Sequence, residues 1–232
     1  MEAIVLAGGF GTRLQHVVSD VPKPMAPMDD QGTPFLRLLL NQLHRYGCQH
    51  VVLSIGYKGQ VIRDYFHDAY LDMAIDYAAE DMPLLTGGAV KKALPLCHSE
   101  QVFVLNGDTY FNIDFTAMMA YHQQHQAEFT LAAKEMHDFD RYGTLTLAQD
   151  GRIQAFVEKK PQAQGWINGG IYCLQRDLLA DVQADKFSLE QEFLELHTQD
   201  MRMYAFPSEG YFIDIGIPED YYRAQRDFGK IK

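Results

Sequence analysis

The chain has 232 residues, 47% hydrophobic and 22% charged, the balance of a packed globular protein rather than a disordered one. No apolar run reaches the ~18 residues a membrane span needs, and the opening Met1 to Gly9 lacks the basic leader of a secretory signal. With 20 Lys and Arg against 31 Asp and Glu, the formal charge is −11. This argues against nucleic acid and anionic membranes as partners, so an anionic substrate must be held by a few well-placed cations. Cys48, Cys97 and Cys173 are odd in number and far apart. They argue against a disulfide framework or zinc site and for a reducing cytoplasm.

In chain order, Ala3 to Ala7 is short, apolar and β-branched and then broken by glycines, the pattern of a buried parallel strand ending in a loop. Pro34 to Tyr46 carries a helical apolar pattern stopped by Gly47. His50 to Ile55 reads as a strand, Gly59 to Tyr70 as a helix with Val61, Ile62, Tyr65 and Phe66 inward, and Ala74 to Tyr77 as a short strand. Gly88 to Leu96 reads as a helix, and Gln101 to Leu105 as a buried strand ending at Asn106-Gly107-Asp108. Alternating strands and helices predict an α/β layer with ligands at the strand C-terminal ends. Beyond it, Phe129 to Lys134, Gly143 to Leu147, Ile153 to Glu158 and Trp166 to Leu174 read as strands. Ser188 to His197 reads as helical, Met203 to Pro207 and Tyr211 to Ile215 as strands, and Pro218 to Phe228 as a closing helix. The chain therefore reads as one domain over residues 1–232, in which a second half from about residue 111 builds a substrate site on the sheet of the first.

Two motifs carry chemistry. In Leu6-Ala7-Gly8-Gly9-Phe10-Gly11-Thr12-Arg13-Leu14 three glycines follow a strand, so backbone can approach a ligand and aim N–H groups at an anion. It is neither a P-loop nor a dinucleotide fingerprint, since Leu14 stands where a third fingerprint glycine belongs. A plain turn is the alternative, but the following arginine suits a phosphate. In Val21-Pro22-Lys23-Pro24-Met25 two prolines stiffen the backbone around a lysine and aim it. Arg13 and Lys23 supply local positive charge that the acidic chain otherwise lacks.

With these motifs the sequence resembles the sugar-1-phosphate nucleotidyltransferases, which transfer a nucleoside monophosphate from an NTP to a sugar 1-phosphate and release pyrophosphate. The resemblance continues through Leu105 to Asp108, Phe156 to Lys160, Ile167 to Tyr172 and Phe212 to Pro218, so it spans essentially the whole chain. It implies a Rossmann-like, GT-A-like α/β fold with a mixed, mostly parallel central sheet, residues 1–110 holding the nucleotide. It also implies Arg13, Lys23 and Asp108 as catalytic groups and Asp108 and Asp214 as Mg²⁺ ligands. The nucleotide would lie on Leu6, Ala7, Gly8, Gly9, Gly11, Thr12, Asn106 and Gly107, and the sugar phosphate on Glu158, Lys159, Asn168, Gly169 and Gly170. A phosphate nucleophile is already ionised at pH 7, so no general base is required.

The segment from Glu80 through Leu85, Thr86, Gly87 and Gly88 corresponds to the family's base-reading loop. Guanine presents N1–H and N2–H₂, which suit the acceptor-only carboxylate of Glu80, whereas uracil and thymine suit an amide. The segment is similar to that of guanylyltransferases, which usually have glycine where this chain has Leu85. The implied substrates are therefore GTP and a sugar 1-phosphate, with UTP, CTP or dTTP as alternatives. The subgroup that the chain most resembles acts on D-glycero-D-manno-heptose 1-phosphate, and mannose 1-phosphate is the near alternative. A non-catalytic sugar-nucleotide sensor is the contrasting reading, disfavoured because Arg13, Lys23, Asp108 and Asp214 are all present. The nine histidines show no metal-ligand spacing, His122 and His125 being the nearest pair, and read as surface or structural. The sequence leaves a homo-oligomer open.

Overall fold

Strand β1 (Glu2–Leu6) is flanked on both sides by strands that share its direction, and the fold grows outward from it. The structure is a computed structural model that describes residues 1–9, 11, 13–14, 16–157 and 161–231, without the side chains of 230 and 231. After β1 come α1 (Phe35–Arg45), β2 (His50–Ile55), α2 (Gly59–Phe66), β3 (Ala69–Tyr70), β4 (Met73–Ala79), α3 (Leu85–Ala93), β5 (Gln101–Asn106) and β6 (Thr109–Phe111). They are followed by α4 (Phe115–Gln124), β7 (Phe129–Phe139), β8 (Thr144–Leu147), β9 (Ile153–Val157), β10 (Gln162–Gln175), α5 (Leu189–Glu192), β11 (Met203–Pro207), β12 (Phe212–Asp214) and α6 (Pro218–Ile231).

The main sheet runs β11-β7-β10-β5-β1-β2-β4-β3, with β8 and β9 branching from β10, while β6 and β12 form a separate ribbon. Along that row all strands except β10 and β3 point the same way. The sheet is thus mixed and mostly parallel, as the sequence predicts. Both faces are covered. Ala3, Val5, Phe103 and Leu105 pack with α1 on one side, and Ile4, Val102 and Val104 pack with α3 on the other. This two-sided burial is why the inner strands read as continuous apolar runs.

The structure departs from the expected elements where tertiary contacts take over. Helix α2 stops at Phe66, because His67 adopts φ 53, and Tyr65 faces outward at 45% exposure. Helix α3 starts at Leu85, three residues before the expected Gly88, and places Thr86, Gly87 and Gly88 in its first turn. Helix α4 is not legible in the sequence because its buried positions are Phe115, Met118 and a histidine, His122. His122 Nδ1 lies 2.8 Å from the Thr130 hydroxyl, and burial pushes its pKa down to about 4, so the ring is neutral in the core. Strands β7 and β10 are longer than expected because they pair with each other beyond the sheet, as far as Gln162 opposite Phe139. Trp166 lies on this pair and packs, partly buried, against the α3-side core.

Asp114 caps α4, its carboxylate accepting from Ala117 N at 2.9 Å. Asp114→Ala is expected to lower folding stability by about 1 kcal/mol. Urea denaturation measures this as a lower midpoint with an unchanged slope.

Candidate functional site

Parallel pairing of β1 with β5 sets Leu6 beside Asn106 at the carboxyl ends of both strands, where open α/β sheets present their clefts. The chain turns sharply at both ends. Gly107 N donates to Leu6 O at 2.9 Å, and a Cβ on Gly107 would lie 2.5 Å from that oxygen. A Cβ on Gly8 would meet Glu80 Oε1 at 2.8 Å. Gly11 has φ +60 and packs on the Lys23 side chain, whereas Gly9 faces open space. The glycines after β1 thus act in close packing as well as in access. Ala7 is buried in the core.

The proline-framed lysine is aimed, as the sequence predicts. Pro24 and Lys23 open a single 3-10 turn, and Lys23 Nζ donates to Asp108 Oδ2 at 2.8 Å with its side chain 11% exposed. Asp108 immediately precedes β6, and Asp214 ends β12. The antiparallel ribbon pairs Asp214 with Thr109, and Ile215 N donates to Asp108 O at 3.0 Å. The ribbon therefore holds the two carboxylates close together. Burial, and then the charge of Asp108, push the Asp214 pKa up; Lys23, a hydrogen bond from Gly216 N at 2.6 Å and Arg13 pull against them. Arg13 is exposed, with its guanidinium against Gly216. Four residues far apart in the chain are thereby gathered.

Two cavities open beside this cluster and share Asn106. The first, about 440 Å³, is lined by Leu6, Gly8, Gly9, Gly11, Lys23, Glu80, Leu85, Thr86 and Asp108 among others. The second, about 480 Å³, is lined by Thr109, Tyr142, Asn168, Gly170, Tyr172, Glu190 and Asp214 among others. Acidic side chains face both cavities, Glu80 and Asp108 the first and Glu190, Glu195 and Asp214 the second. Glu80 uses Oε1 to accept from the Ser54 hydroxyl at 3.1 Å and Oε2 to accept from Leu84 N at 3.0 Å. It therefore holds its own loop in shape and keeps spare lone pairs toward the cavity. Leu85 is 48% exposed and sits at φ 62, a left-handed conformation that favours glycine.

Gly87, Gly88 and Gly169 make tight contacts within the protein. Gly87 and Gly88 donate to Phe187 O, and a Cβ on either would run into the 185–187 segment. A Cβ on Gly169 would lie 2.5 Å from the Phe111 ring, so this glycine packs closely on that ring. Asn168 and Gly170 do reach the second cavity, because β10 bulges between Asn168 and Tyr172 where Gly170 takes φ +72. Thr12, Glu158 and Lys159 lie outside the described residues.

A polar chain that no sequence pattern signals joins the cavities. Glu190 Oε2 accepts from the Thr86 hydroxyl at 2.7 Å, and Oε1 accepts from the buried Tyr172 hydroxyl at 2.9 Å. The Tyr172 oxygen in turn accepts from Asn168 Nδ2 at 2.9 Å. No local pattern marks Glu190, which reads as one acidic residue of a short helix. No local pattern marks Tyr142 either. It lines the second cavity, and burial, then the Asp214 charge, raise its pKa to about 12.

The sequence matches a protein-family model described as "Nucleotidyl transferase" over residues 2–230. The chain belongs to the nucleotidyl transferase family. Among curated relatives, D-glycero-alpha-D-manno-heptose 1-phosphate guanylyltransferase of Aneurinibacillus thermoaerophilus is 45% identical over 98% of both chains. The protein of the same name from Campylobacter jejuni is 44% identical over 96% of this chain and 97% of its own. The crystal structure of HddC from Yersinia pseudotuberculosis complexed with GMP-PN superposes with a TM-score of 0.87 at 38% identity, covering 98% of this chain and 99% of that one. The chain thus spans the full length of these members of the family. Among the described residues no helix is long and apolar enough to cross a membrane.

The raised Asp214 pKa has a sign. The native state holds this proton more tightly than the unfolded chain, so the carboxyl favours folding at acid pH. That contribution is lost as pH rises through the folded-state value. Asp214→Asn keeps an acceptor for Gly216 N and removes the repulsion from Asp108. It is expected to raise the Tm at neutral pH, with the gain shrinking as pH falls below the carboxylate range. Differential scanning calorimetry across pH checks both. For Glu190→Gln, an amide NH₂ replaces one of the acceptors for the Thr86 and Tyr172 hydroxyls. This is expected to cost about 1–3 kcal/mol in urea denaturation.

Proposed function

We propose that this protein transfers GMP from GTP to D-glycero-α-D-manno-heptose 1-phosphate, giving a GDP-heptose and pyrophosphate. The carrying observation is the pair of cavities meeting at Asn106, with Lys23, Asp108 and Asp214 between them. That layout suits two anionic substrates brought together over a cluster of both charge signs. The names of the full-length relatives support the guanine and heptose assignments.

On this reading the first half of the chain takes the nucleotide in the cavity beneath Glu80 and the second half takes the sugar phosphate in the cavity beside Asn168. Glu80 accepts from guanine N1–H and N2–H₂ with its spare lone pairs, and Leu85 forms an apolar wall against the base. Gly8, Gly9 and Gly11 let the triphosphate approach the backbone, and Arg13 clamps it and stabilises the departing pyrophosphate. Lys23 leaves Asp108 enough to meet the α-phosphate and the incoming sugar phosphate. A sugar-phosphate oxygen attacks the α-phosphorus in line, and the bond to the bridging oxygen breaks to release pyrophosphate. Positioning and charge stabilisation supply the catalysis.

Asp108 and Asp214 fit a magnesium ion. They are hard oxygen donors held close enough for the charge of one to disfavour ionisation of the other, a repulsion that a divalent cation relieves. When bound, the ion neutralises phosphate charge at this point. Cys48, Cys97 and Cys173 are buried and free, and burial raises all three thiol pKa values. These features agree with work in a reducing cytoplasm.

The test is pyrophosphate release with Mg²⁺ over a grid of GTP, UTP, CTP, dTTP and ATP against heptose, mannose and glucose 1-phosphates. Turnover confined to GTP with the heptose is expected. Turnover with another base or sugar would overturn that assignment, and silence over the whole grid would sink the transferase reading. Lys23→Ala and Asp108→Ala are each expected to lower kcat at least ~10²-fold with the far-UV spectrum unchanged. Near-normal turnover in either would remove its assigned role.

A further inference from the structure

A second cluster of chemistry-bearing side chains lies at the opposite end of the sheet, where β1 and β2 begin. Glu2 and His50 are direct partners in the parallel ladder. His98, in the loop before β5, reaches the same point, and its ring stacks on that of His50 with centroids 5.8 Å apart. One donor atom from each of Glu2, His50 and His98 falls within 4.8 Å of the others. The separation in sequence, 2 to 50 to 98, hides the cluster from any spacing rule.

Three features distinguish it from a chance meeting of polar groups. First, the Glu2 carboxylate is fixed: Oε2 accepts from His98 N at 2.9 Å and from Ser99 N, which leaves Oε1 turned toward His50 Nδ1 at 2.7 Å. Second, the far nitrogen of His50, Nε2, meets Asp76 Oδ2 at 3.1 Å. A carboxylate on the back of an imidazole is the outer-shell arrangement that orients metal-ligating histidines. Third, in the described ion pairs Glu2 and Asp76 have no partner but His50, and the neighbouring Arg176 directs its guanidinium at the carbonyls of Cys97 and His98. The donors that come together are two imidazoles and one carboxylate.

We propose that Glu2, His50 and His98 form a site for a divalent transition metal of the zinc type, with Asp76 as the outer-shell carboxylate on His50. Two nitrogens and one oxygen suit such an ion, with water in the fourth position, and do not suit magnesium. The ion takes the place of the proton between His50 Nδ1 and Glu2 Oε1, and the exposed His98 ring closes on it. Its place, at the strand starts and away from the catalytic cleft, makes it a clip joining β1, β2 and the loop before β5.

The experiment is isothermal titration of tag-free protein with Zn²⁺ in buffer holding Mg²⁺ in large excess, which keeps the oxygen-donor site at Asp108 and Asp214 occupied. Stoichiometric Zn²⁺ binding is expected, together with a higher Tm that EDTA reverses. His98→Ala removes an exposed ring and leaves the ion pairs of His50 in place; it should weaken Zn²⁺ binding about 10-fold or more, and Asp76→Asn about 10–100-fold. Co²⁺ should give visible absorption bands of a low-coordinate site in the parent and not in His98→Ala. Absence of Zn²⁺ binding by the parent, or equal affinity in the parent and His98→Ala, overturns the proposal. These readouts do not involve transferase activity, so this proposal and the proposed function stand or fall separately.

Discussion

Two carboxylates held against their mutual repulsion are the constraint around which this molecule is arranged. The β6–β12 ribbon holds the backbones of Asp108 and Asp214 side by side, because Ile215 N is bonded to the Asp108 carbonyl and Asp214 is in register with Thr109. Burial first, and then the charge of Asp108, raise the Asp214 pKa, and Lys23, the Gly216 amide and Arg13 pull against them. Such a cluster is a stored demand for positive charge. It lies where two cavities meet, so whatever satisfies the demand is also held between them.

The surrounding packing serves this point. Gly107 lets the turn after β5 touch the end of β1, and Gly11 packs on the Lys23 side chain, so the lysine is supported as well as aimed. The glycines in the first turn of α3 bring that helix onto the 185–187 segment, which places Glu190 between Thr86 and Tyr172. The two cavities are therefore joined by an unbroken run of hydrogen bonds, in which neither hydroxyl is left unpaired. Leu85 departs from this economy. A left-handed leucine on a cavity wall costs roughly 1–2 kcal/mol, the kind of local strain that gathers at working sites.

Periodicity exposed the parts of the fold that depend on one face meeting one core. β2 falls exactly on the predicted His50 to Ile55, and α1 falls within one residue of Pro34 to Tyr46 at each end. It failed where partners supplied the reason for structure. α4 buries a neutral histidine in place of an apolar residue, and the outer lengths of β7 and β10 exist only because each completes the other's hydrogen bonds. Among the expected site residues, Lys23, Asp108, Glu80, Asn168 and Asp214 line the two cavities, and Arg13 lies beside Gly216 and Asp214. Gly87, Gly88 and Gly169 fill tight contacts within the protein, since a glycine allows close approach equally to a ligand and to a neighbouring side chain.

By itself the sequence determined the α/β character, the central parallel strands and the family, because glycine-rich turns, proline frames and buried strands are local patterns with local physical causes. It also named the cations and carboxylates that an acidic protein needs to handle anionic substrates. Only the tertiary structure decided which groups share an electric field. The Asp108–Asp214 repulsion, the Thr86–Glu190–Tyr172–Asn168 chain and the Glu2–His50–His98 cluster all join residues from distant parts of the chain. Electrostatic and hydrogen-bonding energies depend on separation in space, and sheet order and register set that separation where no sequence interval does.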